Sequence, residues 1–169
     1  MIEKNYDGNL FLLPGPLEAG AVTTNGIVKS NGEAVMGAGI AKYARDHFNG
    51  IARRLGEKLK SGGNHAYFMG PQSDRSRAAA RLDPEILVVT LPTKNNWRDD
   101  SDLDLIAQSC RELMAIADQN GLRKIYLPMP GCTNGRLDYI SQVRPVIAGI
   151  LDNRFVVCLP WHVYGKLHG

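Results

Sequence analysis

The chain has 169 residues and a formal net charge of +3, with 44% hydrophobic and 22% charged residues. This length suits one domain with a real core, and the composition is that of an ordinary soluble globular protein. It has no apolar run near the roughly 20 residues of a membrane span, no signal-peptide core, and three cysteines without CxxC spacing, which argues against a disulfide framework or a zinc site. We therefore expect one domain over residues 1–169, monomeric and cytoplasmic, with no metal and no cofactor.

The first half of the chain predicts short strands and one long helix. Residues 9–13 and 19–23 are apolar runs typical of strands, and 26–33 is polar enough to be a surface loop or a short hairpin. Apolar residues at helical spacing predict a helix over 39–59, broken near Asn49-Gly50 and ended by the glycines at 62 and 63. Residues 65–69 predict another strand, and the arginine-rich segment 71–83 predicts a mobile loop.

In the second half of the chain, predicted strands and helices alternate more clearly. Residues 86–91 are continuously apolar, as in a central strand covered on both faces. Ser101, with Asp102 and Asp104, is predicted to cap a helix that ends at Asn120-Gly121. Strands over 124–129 and 155–159 then flank a helix over 139–151 that tolerates Pro145 only with a kink or a late start. This alternation predicts an α/β fold, a three-layer α/β/α sandwich around a mixed, largely parallel central sheet.

Two glycine-containing loops are the most informative feature. Gly37-Ala38-Gly39 and the segment 130–135 each follow an apolar strand and precede a helix. Such loops present backbone N–H groups and a helix N-terminus to phosphate. Two of them predict a ligand with two phosphates held between them; the alternative is a pair of tight strand–helix connections.

The loop after the 86–91 strand carries the candidate chemistry. Ligands in such sheets bind at the carboxyl ends of the central strands, so Lys94 is expected to face the cleft. A partly desolvated lysine near other cations can attack a carbonyl or an anomeric carbon; the alternatives are a solvated lysine and a passive phosphate contact. Trp97 would stack on a base or cover the cleft, or else pack under the following helix. Cys132 fits a small loop residue better than a nucleophile, although its place near a helix terminus would lower its thiol pKa.

With these residues in place, the sequence resembles the macrodomains, ADP-ribose-binding α/β/α modules, over about residues 9–159. The run 36–41, Thr93-Lys94 and Gly131-Cys132 are similar to a terminal ADP-ribose protein glycohydrolase. The segment 92–101, with its Trp97-Arg98, and Asn25 are similar to an antitoxin macrodomain that removes ADP-ribose from DNA.

The resemblance implies roles for individual residues. Asn25 would contact the distal ribose and form the catalytic pair with Lys94. Asn9 stands where many macrodomains have an Asp that binds the adenine amino group, and its amide oxygen can accept the same bond. Trp97 and Arg98, with the arginines of 75–81, would form a wall for the substrate. The other expected ligand contacts are Leu10, Thr24, Met36, Gly37, Ala38, Gly39, Ile40, Thr93, Pro130, Gly131, Cys132, Thr133, Asn134, Gly135 and Arg136.

Gly135 separates the two relatives. The protein-directed enzyme has an Asp there that assists its lysine, whereas the DNA-directed antitoxin has Gly. The resemblance thus implies an ADP-ribosyl glycohydrolase that uses Lys94 and favours DNA-linked ADP-ribose, with ADP-ribosylated DNA or protein as substrate. Two alternatives stay open: an ADP-ribose-binding module without turnover, and a phosphatase acting on ADP-ribose phosphorylated at the distal ribose.

Overall fold

The computed structural model describes residues 1–169 as six strands and six α-helices, with one 3₁₀ turn and one π-helical turn. The strands are β1 (Ile2–Asn5), β2 (Glu18–Thr24), β3 (Phe68–Ser73), β4 (Glu85–Pro92), β5 (Lys124–Leu127) and β6 (Phe155–Leu159). The helices are α1 (Gly39–His47), α2 (Ile51–Gly62), α3 (Arg75–Ala79), α4 (Leu103–Asn120), α5 (Arg144–Ala148) and α6 (Trp161–His168), with the 3₁₀ turn at Leu10–Leu12 and the π-helical turn at Tyr139–Val143.

One six-stranded sheet has the order β1-β6-β5-β2-β4-β3. All neighbouring strands are parallel except β3 and β4, which are antiparallel. The carboxyl ends of β2, β4 and β5 therefore meet at one edge of the sheet, which confirms the predicted mixed, largely parallel sheet and positions the loops that follow these strands.

Two apolar cores cover the two faces of the sheet. In β4, Val89 and Leu91 pack into the core beneath α4 and α5, whereas Ile86 and Val88 pack into the core beneath α1 and α2. This alternation follows from the twofold side-chain period of a strand. It confirms the three-layer arrangement and the prediction that residues 86–91 form a strand covered on both faces.

Several boundaries follow the predicted signals. The break in the first long helix is confirmed, with Gly50 at φ +77° between α1 and α2. Helix α4 ends at Asn120, and the Gly121 that follows adopts the left-handed conformation. Its N-cap, however, is Asp102 and not Ser101: the Asp102 carboxylate accepts from the backbone N–H groups of Asp104 and Leu105.

The prediction for residues 9–13 was wrong. The Asn9 side chain accepts a hydrogen bond from Phe11 N and starts a 3₁₀ turn, whose Phe11 ring packs against the sheet over Gly20. A Cβ on Gly20 would lie 2.5 Å from that ring. The first strand is β1 instead, a mostly exposed edge strand whose residues show no apolar alternation.

The prediction of a mobile loop over 71–83 was also wrong. β3 starts at Phe68, later than predicted, and continues to Ser73, and Asp74 then caps α3. Arg77 is 3% exposed, and its guanidinium donates to the carbonyl oxygens of Phe11, Pro14 and Asp83. Those partners are backbone carbonyl oxygens of loop residues or of residues distant in sequence, so no sequence periodicity predicts these contacts. Helix α6 likewise had no predicted counterpart, and none of the helices combines the length and apolarity of a membrane crossing.

Candidate functional site

A cavity of about 490 Å³ opens at the carboxyl edge of β2, β4 and β5. Its walls come from the ends of these strands, the start of α1 and the loop after β5. It is lined by Thr23, Thr24, Asn25, Val35, Gly37, Ala38, Gly39, Ile40, Ala41, Thr93, Lys94, Trp97, Pro128, Met129, Gly131, Cys132, Thr133, Asn134 and Gly135.

Eight backbone N–H groups in this wall have no acceptor within the protein. Five belong to residues 37–41, because the first bond of α1 runs from Lys42 N to Ala38 O. Three belong to residues 133–135 of the second loop. The Ala38 N-cap makes no side-chain bond to the helix, so the positive end of the α1 dipole is also uncapped. The two loops together offer a dense array of donors to an anion.

The glycines of these loops are required by geometry. Gly39 has φ +56° and Gly131 has φ +75°, both in the left-handed region that favours glycine. Gly135 lies directly over Ser101: a Cβ there would overlap Ser101 Oγ and lie 2.5 Å from Gly131 O. The backbone of Ser101 also donates to Gly135 O at 2.9 Å. Ser101 therefore forms the floor of the second loop and excludes a side chain at position 135.

Lys94 lies between the two loops. Its Nζ donates to Asp99 O and Asn134 O, each at 3.2 Å, and to Trp97 O at 3.4 Å. All three partners are carbonyl oxygens, so Nζ acts only as a hydrogen-bond donor here. This geometry suits an acid or an electrostatic partner better than a nucleophile, and it ties the β4–α4 connection to the second glycine loop.

Asn25 is buried at the end of β2. Its Nδ2 donates to Val35 O at 3.1 Å, and its Oδ1 accepts from Ile27 N at 3.0 Å. These bonds close the polar segment 26–33, which Val28 and Ala34 also pin with a single antiparallel bridge. One amide hydrogen and one lone pair of Asn25 stay free to face the cavity. The neighbouring Thr24 Oγ1 is buried there without a partner in the protein.

Trp97 stands at the mouth of the cavity, 48% exposed, with the Arg98 guanidinium 4.8 Å from its ring centroid. The arginines of 75–81 do not join it. Ser73, just before α3, pairs with Glu85 at the amino end of β4, a full strand length from Lys94. That part of the predicted substrate wall was wrong.

The structure places the other predicted contacts outside the cavity lining. Asn9 Nδ2 donates to Tyr43 Oη at 2.8 Å while its Oδ1 caps the 3₁₀ turn, so both polar atoms serve the fold. Leu10 and Met36 are buried in the core, and Arg136 pairs with Asp100 at 3.2 Å on the surface. Pro130 and Arg98 also lie outside the lining.

Cys132 lines the cavity as a poor nucleophile. Burial raises the pKa of its thiol to about 12, and Sγ donates to Pro130 O at 3.4 Å. The expectation of a lowered thiol pKa was wrong, because burial raises the pKa and the nearby Asp138 carboxylate raises it further.

Sequence reasoning missed Thr23, Val35, Ala41, Pro128 and Met129 as lining residues. Pro128 and Met129 directly follow β5 in the cavity wall, a position that the strand–loop boundary would have indicated. The others are apolar or small neighbours of predicted residues and carried no separate signal.

No protein-family model matches the chain, and neither does any curated protein. Solved structures do match. The macrodomain of Mycobacterium tuberculosis DarG superposes with a TM-score of 0.70 at 21% identity, over 94% of this chain and 98% of that one. The macrodomain of Thermus aquaticus DarG gives 0.68 at 25% identity, over 94% and 99%.

A third match is Thermosipho africanus DarTG, solved in complex with ADP-ribose. Its TM-score is 0.69 at 20% identity, over 85% of this chain. The match spans 38% of the length of that protein.

Proposed function

The chain has the macrodomain fold, and from that premise we propose that it binds ADP-ribose in the cavity between the two glycine loops. The observation that carries this proposal is the set of eight unpaired backbone N–H groups at 37–41 and 133–135. A diphosphate is the ligand that such donors and an uncapped helix start would neutralise. A volume of about 490 Å³ lies within the range of small-molecule sites, and the ADP-ribose complex of the Thermosipho relative supports the same ligand.

We further propose that the protein hydrolyses an ADP-ribosyl linkage. Water would bond to the anomeric carbon of the distal ribose, and the bond from that carbon to the modified group would break. The leaving group would take up a proton, and the proton that the water releases would replace it. The Lys94 ammonium at the cavity wall supports a role in stabilising or protonating the leaving group. The free hydrogen and lone pair of Asn25 would orient the ribose hydroxyls.

DNA-linked ADP-ribose is the substrate we favour. Ser101 excludes a side chain at position 135, so Lys94 has no carboxylate partner in the second loop. Trp97 with its stacked Arg98 offers an aromatic, cationic surface at the mouth of the cavity. Exposed aromatic rings beside cations are what single-stranded nucleic acid binds.

A binding module without turnover is the second candidate. It is favoured by the engagement of Lys94, whose Nζ already donates to three backbone carbonyl oxygens. A catalytic role requires at least one of these bonds to be exchanged when substrate enters.

The test is to incubate the protein with ADP-ribosylated DNA and with glutamate-linked ADP-ribosylated protein, and to follow the release of free ADP-ribose. We expect faster release from DNA, and Lys94→Ala should lose most turnover while its affinity for ADP-ribose stays within about tenfold, or 1.4 kcal/mol. Lys124→Ala is the matched control, since Lys124 starts β5 at the opposite edge of the sheet.

Each component of the proposal has its own contradicting outcome. Calorimetry without heat or saturation at millimolar ADP-ribose would exclude the binding site. Binding without release from either substrate would identify the non-catalytic module. A fully active Lys94→Ala variant would remove the lysine from the mechanism, and faster release from glutamate-linked protein would reverse the substrate preference.

A further inference from the structure

We propose that Asn64 is a positioning residue for Lys94. This inference deepens the hydrolase function above and rests on it. Asn64 lies outside the cavity lining, in the turn between α2 and β3, and its sequence context of two preceding glycines indicates only the end of a helix.

The Asn64 amide holds the turn that carries Lys94. Its Nδ2 donates one hydrogen to Lys94 O at 3.2 Å and the other to Asn95 Oδ1 at 3.0 Å. Asn64 is the sole hydrogen-bond donor to the Lys94 carbonyl within the protein. Both hydrogens of a single nitrogen are thus spent on two adjacent residues, and the direction in which the Lys94 side chain leaves the backbone depends on them.

Asn95, which accepts from the Asn64 amide, is also hydrogen-bonded to Gly26, the residue after Asn25. Gly26 N donates to Asn95 O at 2.9 Å. A Cβ on Gly26 would lie 3.0 Å from Asn64 Cγ and 3.0 Å from Asn95 O, so the three backbone segments are packed tightly here. The two proposed catalytic residues, Asn25 and Lys94, each adjoin this junction. Asn64 therefore fixes the position of Lys94 relative to Asn25 without touching a ligand in the cavity.

The position of the ammonium depends on this arrangement. Lys94 Nζ reaches across to Asn134 O in the second glycine loop. A shift of the Lys94 backbone would lengthen that bond and move the charge relative to the ribose. Displacements of about 1 Å in a catalytic constellation cost up to a hundredfold in rate, whereas the backbone donors to the diphosphate would stay in place.

The test compares Asn64→Asp and Asn64→Ala with matched changes at Asn120. Asp keeps the shape of the side chain but places an oxygen against Lys94 O and Asn95 Oδ1. Asn120 is a fitting control because its Nδ2 also donates to a backbone carbonyl at a helix end, Ile116 O at 2.9 Å. Asn120 ends α4 at the edge of the sheet away from the cavity.

We expect both Asn64 variants to lower kcat by about tenfold to a hundredfold. KM and the dissociation constant of ADP-ribose should stay within about threefold of wild type, and the Asn120 variants should keep wild-type turnover. On a Lys94→Ala background, Asn64→Asp should cause no further loss, because its effect acts through the lysine. A purely structural role would lower turnover by the same factor on both backgrounds.

Amide hydrogen exchange supplies a measurement that needs no turnover. Exchange at Gly26, which donates to Asn95 O, should become about tenfold faster in Asn64→Asp and stay unchanged in the Asn120 variants. Wild-type kcat in Asn64→Asp, an equal further loss on the Lys94→Ala background, or unchanged Gly26 exchange would each overturn the proposal. If the wild-type protein hydrolyses no substrate, the hydrolase function fails, while Gly26 exchange still decides whether Asn64 positions this turn.

Discussion

Substituting Gly135 by Ala tests the second glycine loop directly. The added Cβ would overlap Ser101 Oγ and lie 2.5 Å from Gly131 O and 2.8 Å from Ser101 Cβ. Since ordinary contact begins near 3.4 Å, the loop has to rise from its floor by about 1 Å. The backbone of Gly131 is one of the two obstacles, so a Ser101→Gly change added to Gly135→Ala should restore only part of the wild-type geometry.

The expected cost follows from the donors that move. A hydrogen bond stretched by about 1 Å from its usual length near 2.9 Å is lost, and one bond to a charged group is worth about 1.5–3 kcal/mol. Loss of one of the three N–H donors at 133–135 should therefore weaken ADP-ribose binding by about tenfold to a hundredfold.

The assay is calorimetric titration with ADP-ribose, together with thermal unfolding. Gly149→Ala is the matched control, because a Cβ there meets its nearest atom at 3.6 Å, an ordinary contact. Wild-type affinity and wild-type Tm in Gly135→Ala would refute both the packing of Ser101 beneath the loop and the role of that loop in binding.

Two further predictions concern the substrate and the fold. Trp97→Ala should weaken binding of ADP-ribosylated DNA by roughly 1–3 kcal/mol, the contribution of one stacked base, and should weaken binding of free ADP-ribose by less. The affinity for ADP-ribosylated DNA should also fall more steeply with added salt than the affinity for free ADP-ribose. Equal losses and equal salt slopes for the two ligands would count against a DNA-binding surface. Burial alone would raise the pKa of the Glu3 carboxyl, but bonds from Arg144, Tyr139 and His168 outweigh it and hold that pKa below its usual 4.5. Because the folded-state pKa is the lower one, the stabilisation is complete above about pH 4.5 and is lost as the pH falls below it. Glu3→Gln should therefore flatten the acid limb of the Tm-against-pH curve, and parallel curves for the two proteins would contradict this.

The sequence predicts the parts of the site that depend on local chemistry. Glycines between a strand and a helix indicate an anion loop from local sequence alone. Lys94 follows a strand whose continuous apolar run predicts burial on both faces. Both features lie in the cavity wall, as expected from the rule that carboxyl ends of parallel strands converge. The binding and catalytic roles of these residues stay predictions.

What the sequence does not predict depends on distant partners. Arg77 reads as one more exposed charge in an arginine-rich loop, yet its guanidinium is buried against carbonyls 63 and 66 residues away. Asn64 reads as a turn residue, yet its amide meets Lys94, 30 residues later. No window of periodicity or propensity includes both members of such pairs, so only the folded chain brings them together.

The β4–α4 connection, residues 93–102, links the end of β2 to the second glycine loop. Its first part is hydrogen-bonded to the end of β2, through Thr93 N to Thr24 O, and to the loop after β2, through Gly26 N to Asn95 O. Its last part supports the second loop, through Ser101 N to Gly135 O, and Lys94 Nζ reaches Asn134 O of the same loop. A diphosphate bound to the second glycine loop would therefore also restrain this connection and Lys94 with it. In the proposed complex, phosphate binding at one end of the ligand would restrain the lysine at the other, so binding energy far from the reacting bond would contribute to its cleavage.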